Sequence, residues 1–348
     1  MNFIDFNPAA ELEGYTVKNW YVVEKHDNDD STGGTFSYGY NVKKDTGEMA
    51  FLKAIDFSNA FKNPSRQIEE LRSMADAYIF ERDLLEQCKG GVRNVIQLLD
   101  HGVFRGAADW YYDVNYLIME RADYSVRDLI GLNKSLDIIW ALKSLHNIAI
   151  GIQNLHKINV AHQDIKPSNA LHFEEIDTTK IGDFGRASSL EKSAPHDEYE
   201  ITGDKEYSPF EQLYGYNDSD WKKRRFGCDM FMFGNLIMTY FNNVSITVST
   251  LRMLDKQFHP SSWGDTYAQV LPYLEGAFYQ VIDQFINLPN IKLRDELMKI
   301  ISELCHPNPS IRGNKIGSGL TQHDLQRYIS RLDYLCKEHV IKFKKGII

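Results

Sequence analysis

Cysteine is scarce: Cys88, Cys228, Cys305 and Cys336 are the only 4 in 348 residues, with no CxxC pair and no metal-ligand spacing. That excludes a disulfide-stapled scaffold and a zinc module, and reduced thiols in a cytoplasmic protein are expected. Long apolar runs are lacking as well. The longest, Met230 to Tyr240, is interrupted by Gly234 and Asn235 and falls short of the roughly 20 residues that cross a bilayer. Met1 to Ala10 carries no basic region followed by an apolar run, so no targeting segment is expected there. Charge of one sign forms no long block either. Lys and Arg number 39 against 48 Asp and Glu, a formal net charge of -9, which argues against a protein built to coat nucleic acid or an anionic membrane. Repeats and low-complexity tracts are absent, and 43% apolar with 25% charged residues is the make-up of a globular protein of one large or two ordinary domains.

What is present changes character along the chain. Trp20 to Val23, Thr35 to Val42 and Met49 to Ile55 read as strands, with Asp45-Thr46-Gly47 as the turn between the last two. After Pro64 the apolar residues Leu71, Met74, Tyr78 and Leu85 recur at helical spacing, and Tyr116 to Met119 is a short apolar strand. From about residue 123 helices dominate. Leu142, Leu145, Ile148, Ile152 and Leu155 mark one that ends near Asn159, and Asp229 to Tyr240 is apolar nearly all round, the pattern of a buried central helix. A further helix is predicted from Gln322 to Glu338, followed by a solvated tail with Lys342, Lys344 and Lys345. The boundary near Glu120 to Asp123 reads as a short hinge beside a ligand-binding cleft.

The most informative stretch is His162-Gln163-Asp164-Ile165-Lys166-Pro167-Ser168-Asn169, followed by Asp183-Phe184-Gly185. It clusters two carboxylates, an amide and a lysine, and Lys53 stands near the end of a strand. This set resembles the signature of the eukaryotic-like serine/threonine protein kinase family. Tyr207-Ser208-Pro209-Phe210-Glu211 looks like the end of an activation segment, Asp229 with Gly234 like a central C-lobe helix, and Arg312 like the partner of Glu211. The matches run in family order from about Tyr15 to Asn314.

The resemblance implies an α+β, bilobal kinase fold: an N-terminal extension over 1–14, an N-lobe of antiparallel sheet plus one long helix over 15–121, a mainly helical C-lobe over 122–315, and a C-terminal helix and basic tail over 316–348. It implies ATP and Mg²⁺ as cofactors and a protein substrate. Asp164 would orient the acceptor hydroxyl and take its proton, Lys166 would neutralise the transferring phosphoryl group, and Asn169 and Asp183 would hold Mg²⁺. Lys53 would hold the α and β phosphates, paired with a glutamate on the long helix. Among Glu69, Glu70, Glu81 and Glu86, only Glu81 falls within the apolar stripe, and a core-facing carboxylate needs a partner. Gly33, Gly34, Thr35 and Phe36 would form the phosphate loop, with Glu120, Ala122 and Leu171 around the adenine.

Several positions depart from the family pattern. Thr32 and Ser37 replace glycines of the loop. Gly39 and Phe51 replace the family's valine and alanine, and strand alternation puts Phe51 on the face of Lys53, so its ring is expected to roof the adenine in space freed by Gly39. Asp204 stands in place of a bridging threonine and is expected to compete for Lys166 and repel Asp164. Gln163 occupies the place of an arginine that holds an activation-segment phosphate in relatives, so phosphorylation of Ser188, Ser189, Ser193, Tyr199 or Thr202 is not expected to switch the protein on. Lys222, Lys223, Arg224 and Arg225 read as a solvated basic face, with docking of an acidic substrate as the alternative. Two other functions stay open: a catalytically weak pseudokinase scaffold, and a small-molecule phosphotransferase of the aminoglycoside-kinase type.

Overall fold

The computed structural model describes residues 6–26, 37–62, 64–108, 110–132, 136–284, 290–315, 317 and 320–347. The described chain divides into two compact units, Met1–Asp123 and Tyr124–Ile348. No described helix is long and apolar enough to cross a membrane.

The first unit is a six-stranded antiparallel sheet of β1 (Thr16–Val17), β2 (Trp20–Lys25), β3 (Ser37–Lys43), β4 (Met49–Ile55), β5 (Leu98–Phe104) and β6 (Val114–Glu120), in the order β1-β2-β3-β4-β6-β5. Helix α1 (Gln67–Cys88) lies between β4 and β5 in sequence. Alternation is clear on β4: Ala50, Leu52 and Ala54 are fully buried in a core with Val22, Tyr40 and Ile118. Phe51 and Lys53 therefore point to the opposite face. Residues before β1 belong to the same core. Ala9 and Leu12 are buried, and the Tyr40 hydroxyl donates to the Ala9 carbonyl at 2.8 Å.

The second unit is mainly helical: β7 (Tyr124–Ser125), α2 (Val126–Leu132), α3 (Ile138–Lys157), β8 (Val160–Ala161), β9 (Ala170–Phe173), β10 (Thr178–Ile181), β11 (Ser188–Ser189), α4 (Phe210–Leu213), α5 (Trp221–Asn242), α6 (Ile246–Met253), α7 (Tyr267–Asp283), α8 (Ile291–Leu304) and α9 (Gln326–Lys344). Caps set the limits of its helices. The Asp137 carboxylate accepts from the Ile139 and Trp140 amides to start α3, and Asp220 accepts from the Lys223 amide to start α5. α5 ends where Asn243 turns left-handed at φ 54°.

Phe226 to Tyr240 are buried without interruption, so α5 is the pillar its composition predicts. Truncating a side chain such as Phe231 or Phe233 to alanine there costs about 3–5 kcal/mol, a large share of a domain's stability. The pillar is therefore a rigid support for whatever hangs from it. α9 packs along α3, and it begins later and runs farther than predicted. The break before it is made by hydrogen bonds of Asn314 and Gln322 to neighbouring backbone, and Lys342 and Lys344 are helical residues rather than a free tail.

Candidate active site

In the first unit Lys53 and Glu81 meet. The ammonium lies 2.8 and 3.1 Å from the two carboxylate oxygens, and Glu81 is buried on α1 as its place in the apolar stripe predicts. A methyl group added at Gly39 would come within 2.6 Å of the Phe51 ring, so that ring fills the space a larger residue 39 would need. Its edge also meets His26. The expected exchange of bulk between positions 39 and 51 is thus present as a packing contact. Glu120 accepts from the Gln97 amide at 2.8 Å, which fixes the last residue of β6. Gly33, Gly34, Thr35 and Phe36 lie outside the described residues.

In the second unit the loop carrying Asp164 hangs from α5. Asp229 is wholly buried, and its carboxylate accepts from the His162 amide at 2.8 Å and from the Gln163 amide at 2.8 Å and side chain at 2.9 Å. His156 Nε2 lies 2.9 Å away as well. A buried carboxylate so fully supplied with donors is stable and holds its donors in place. Gln163 needs that hold, because its φ of 64° is left-handed and costs a non-glycine residue about 1–2 kcal/mol. This turn aims the next residue, Asp164.

Around Asp164 the predicted residues assemble. Asn169 donates through Nδ2 to the Asp164 carbonyl at 2.8 Å and to Oδ2 at 3.0 Å. The Lys166 ammonium lies 3.1 Å from the same oxygen. Antiparallel pairing of Ala170 with Ile181, and the Gly182 amide donating to the Asn169 carbonyl at 2.9 Å, bring Asp183 beside Asn169. Asp183 is exposed in a left-handed turn at φ 60°, whereas Phe184 is fully buried against His162. The amide of Asn169 turns its nitrogen to Asp164 and its Oδ1 to the Ser168 hydroxyl at 3.4 Å, and Asp183 Oδ1 accepts from the Gly185 amide at 3.3 Å; both residues offer hard oxygens of the kind Mg²⁺ takes.

Asp204 meets this cluster through both its side chain and its backbone. Its carboxylate lies 3.8 Å from Lys166 and so shares that ammonium with Asp164. Toward Asp164 it also presents its backbone: the Asp204 amide donates to Asp164 Oδ1 at 2.9 Å, an attraction beside the charge of its carboxylate. Gly203 makes this approach possible, since a methyl group there would stand 2.3 Å from the Gln163 carbonyl oxygen.

Glu211 and Arg312 form a two-pronged pair at 2.6 and 2.7 Å. Arg312 also donates to the carbonyls of His306 and Gly227, tying α4, α5 and the 306–312 loop together. Burial works to lower the Arg312 pKa, but the Glu211 charge overcomes it and the guanidinium is held above its ordinary value.

Two readings of surface residues need correction. Arg225 is not part of a solvated basic face: it is 2% exposed, because a helix that offers Lys222 and Lys223 to water turns residue 225 inward. A spacing of four from Asp229 is the sequence signal that could have shown this. Ser188, Ser189 and Thr202 are buried too, which leaves Ser193 and Tyr199 as the exposed hydroxyls among the named acceptors. Ser188 is taken up by Asp197, a residue the sequence did not single out.

No curated protein matches the chain. The family model described as protein kinase domain matches residues 32–323, which includes Lys53, Glu81, Asp164, Asn169, Asp183, Glu211 and Arg312. With most of its length covered and these residues arranged as described, the chain belongs to the protein kinase domain family, with an antiparallel N-terminal sheet and a mainly helical C-terminal unit.

Proposed function

We propose that the protein is a magnesium-dependent kinase that transfers the γ-phosphoryl group of ATP to serine or threonine hydroxyls of a protein. The observation that carries this reading is the joint contact of Asn169 and Lys166 with Asp164, on a loop fixed by a buried carboxylate. Asp164 orients the acceptor hydroxyl and receives its proton as the new oxygen–phosphorus bond forms and the bond to the ADP oxygen breaks. Lys166 offsets the negative charge of the phosphoryl group in transit, a role a point charge on a flexible stem can follow. Lys53, oriented by Glu81, is assigned to the α and β phosphates, and Asn169 and Asp183 to Mg²⁺. Magnesium bound there supplies charge neutralisation between phosphates. Phe51, Glu120, Ala122 and Leu171 are assigned to the adenine, and Gly33, Gly34, Thr35 and Phe36 to the phosphate loop.

A small-molecule phosphotransferase of the aminoglycoside-kinase type is disfavoured by Lys166 at the acceptor site and by the Glu211–Arg312 clamp, neither of which that class requires. The deciding experiment is radiolabelled transfer from ATP to serine, threonine and tyrosine peptides. Asp183→Ala, folded and monodisperse, is expected to lose at least about 1000-fold, or roughly 4 kcal/mol of barrier. Wild-type rates in that variant would refute the assignment, and labelled tyrosine alone would refute the acceptor class.

A further inference from the structure

The loop before Asp164 is held by more than α5. Arg225 donates from one terminal nitrogen to the Gln163 side-chain oxygen at 3.2 Å. From the other it donates to the carbonyl and the carboxylate of Asp197, at 2.9 and 3.0 Å. Gln163 answers through its own amide, which donates to the Arg225 carbonyl at 2.8 Å. The Asp197 carboxylate in turn accepts from the Ser188 hydroxyl at 2.7 Å and the Ala194 amide at 2.8 Å. One side chain therefore gathers residues 188, 194 and 225, and through Arg225 it reaches the strained residue next to Asp164.

Burying a guanidinium is costly, and here burial pushes Arg225 below its ordinary pKa against the pull of Asp197. Its Nε has no hydrogen-bond partner among the described residues, so the cost is not fully offset by contacts. A charge kept at such expense between two loops calls for a purpose beyond packing. The farther end of the segment lands on the same place: the Asp204 amide bonds Asp164, and Gly203 lies against the Gln163 carbonyl. Residues 188–204 are thus fastened to 163–164 at both ends.

We infer that Asp197 and Arg225 are positioning residues for Asp164: an internal carboxylate that orders the segment between Asp183 and Glu211 without any phosphate. The inference rests on the kinase reading for its effect on rate, though the latch itself can be tested without it. Arg225 has both terminal nitrogens engaged, and the exposed Ser193 and Tyr199 stand among the exposed Glu191, Glu198 and Glu200. The exposed Lys192 adjoins Ser193 and the half-buried Arg186 lies 5.9 Å from the Tyr199 ring, but the network reaches Gln163 through Arg225, which is already engaged.

The test compares the phosphatase-treated wild-type protein with Asp197→Ala, Asp197→Asn and the double variant Ser193→Ala/Tyr199→Phe. Amide hydrogen exchange across 186–206 is followed beside kcat and the KM for ATP. In Asp197→Ala, exchange is expected to quicken at least tenfold and kcat to fall about 10- to 100-fold, with the ATP KM within about threefold. Asp197→Asn keeps an oxygen for Arg225 and is expected to recover part of both losses. The treated wild type and the double variant are expected to stay within about threefold of untreated protein.

Exchange and kcat unchanged in Asp197→Ala would overturn the inference. So would loss of activity on phosphatase treatment that returns on rephosphorylation. If Asp197→Ala fails to fold, Asp197→Asn is read against the same criteria. If the wild type transfers no phosphate, the kinase reading fails, while slow exchange in wild type and fast exchange in the variant would still establish the latch.

Discussion

Lys53–Glu81 in the first unit and Glu211–Arg312 in the second are both largely buried ion pairs at less than 3 Å, and the two are built to different standards. Lys53 and Glu81 keep 18% and 6% of their side-chain surface exposed, and the lysine is a point charge on a flexible stem. Arg312 is fully enclosed, Glu211 nearly so, and the fork of the guanidinium meets both oxygens while two carbonyls take two more of its five donors. A pair that has to accept a further anion needs an approachable ammonium. A pair that only holds chain segments together gains from geometry and burial. On the proposed reading, similar distances thus serve opposite ends, and the surroundings distinguish them.

Removing one partner from each pair tests the contrast. Arg312→Ala leaves Glu211 buried without its cation and is expected to cost about 3–5 kcal/mol, seen as a large drop in the denaturant midpoint. Lys53→Ala also leaves a buried carboxylate, Glu81, without its cation but frees no carbonyls, so it is expected to cost less, about 2–3 kcal/mol, while abolishing phosphoryl transfer on the proposed reading. Equal losses of stability in the two variants would break the comparison.

A second experiment sharpens the picture of the first unit. Gly39→Val drives a branched side chain into the Phe51 ring and is expected to destabilise by about 1–3 kcal/mol. In the Phe51→Ala background the same change is expected to be at least about 1 kcal/mol milder, a coupling that a thermodynamic cycle measures. Additive effects would show that the two residues do not share space.

The third concerns the second unit under acid. His323 is pushed down from 6.5 to about 4 by burial first and then by the charges of His156 and Arg312. An unfolded chain binds that proton more readily, so the contribution to stability is complete above about pH 6.5 and is lost as pH falls toward 4. Replacing His323 by Gln is expected to flatten the fall in stability between pH 6.5 and 4.5 by on the order of 2 kcal/mol. A pH profile unchanged by the substitution would separate His323 from the clamp it neighbours.

Much of this was legible because periodicity and chemistry agreed. Glu81 could be chosen from four glutamates by its place in an apolar stripe, and an apolar run interrupted at Gly234 and Asn235 marked the central helix. Gly39 and Phe51 could be linked because strand alternation fixes which side chains share a face. What escaped notice had little local signal, or one masked by its neighbours. β5 carries Asp100, His101 and Gly102 and lacks an apolar alternation, so only its pairing with β6 makes it a strand. Arg225 sits in a run of four basic residues that reads as surface, and Asp197 gains meaning only when folding brings Ser188, Ala194 and Arg225 to it. The segment before β1 escaped for the same reason, since Ala9 and Leu12 join a core made by strands far along the chain.

The contact between α9 and α3 bears on where this protein can be cut. The family match stops at residue 323, yet Leu325, Tyr328, Leu332 and Leu335 share one apolar cluster with Leu145, Ile148 and Ile152. Leu325 also donates its amide to the Gln153 side chain at 2.7 Å. A fragment ending at the family boundary would bare an oily stripe along α3, inviting self-association in place of folding. The smallest fragment able to fold therefore extends through the last helix, and expression trials that trim to the matched region would yield aggregate for reasons unrelated to the active site.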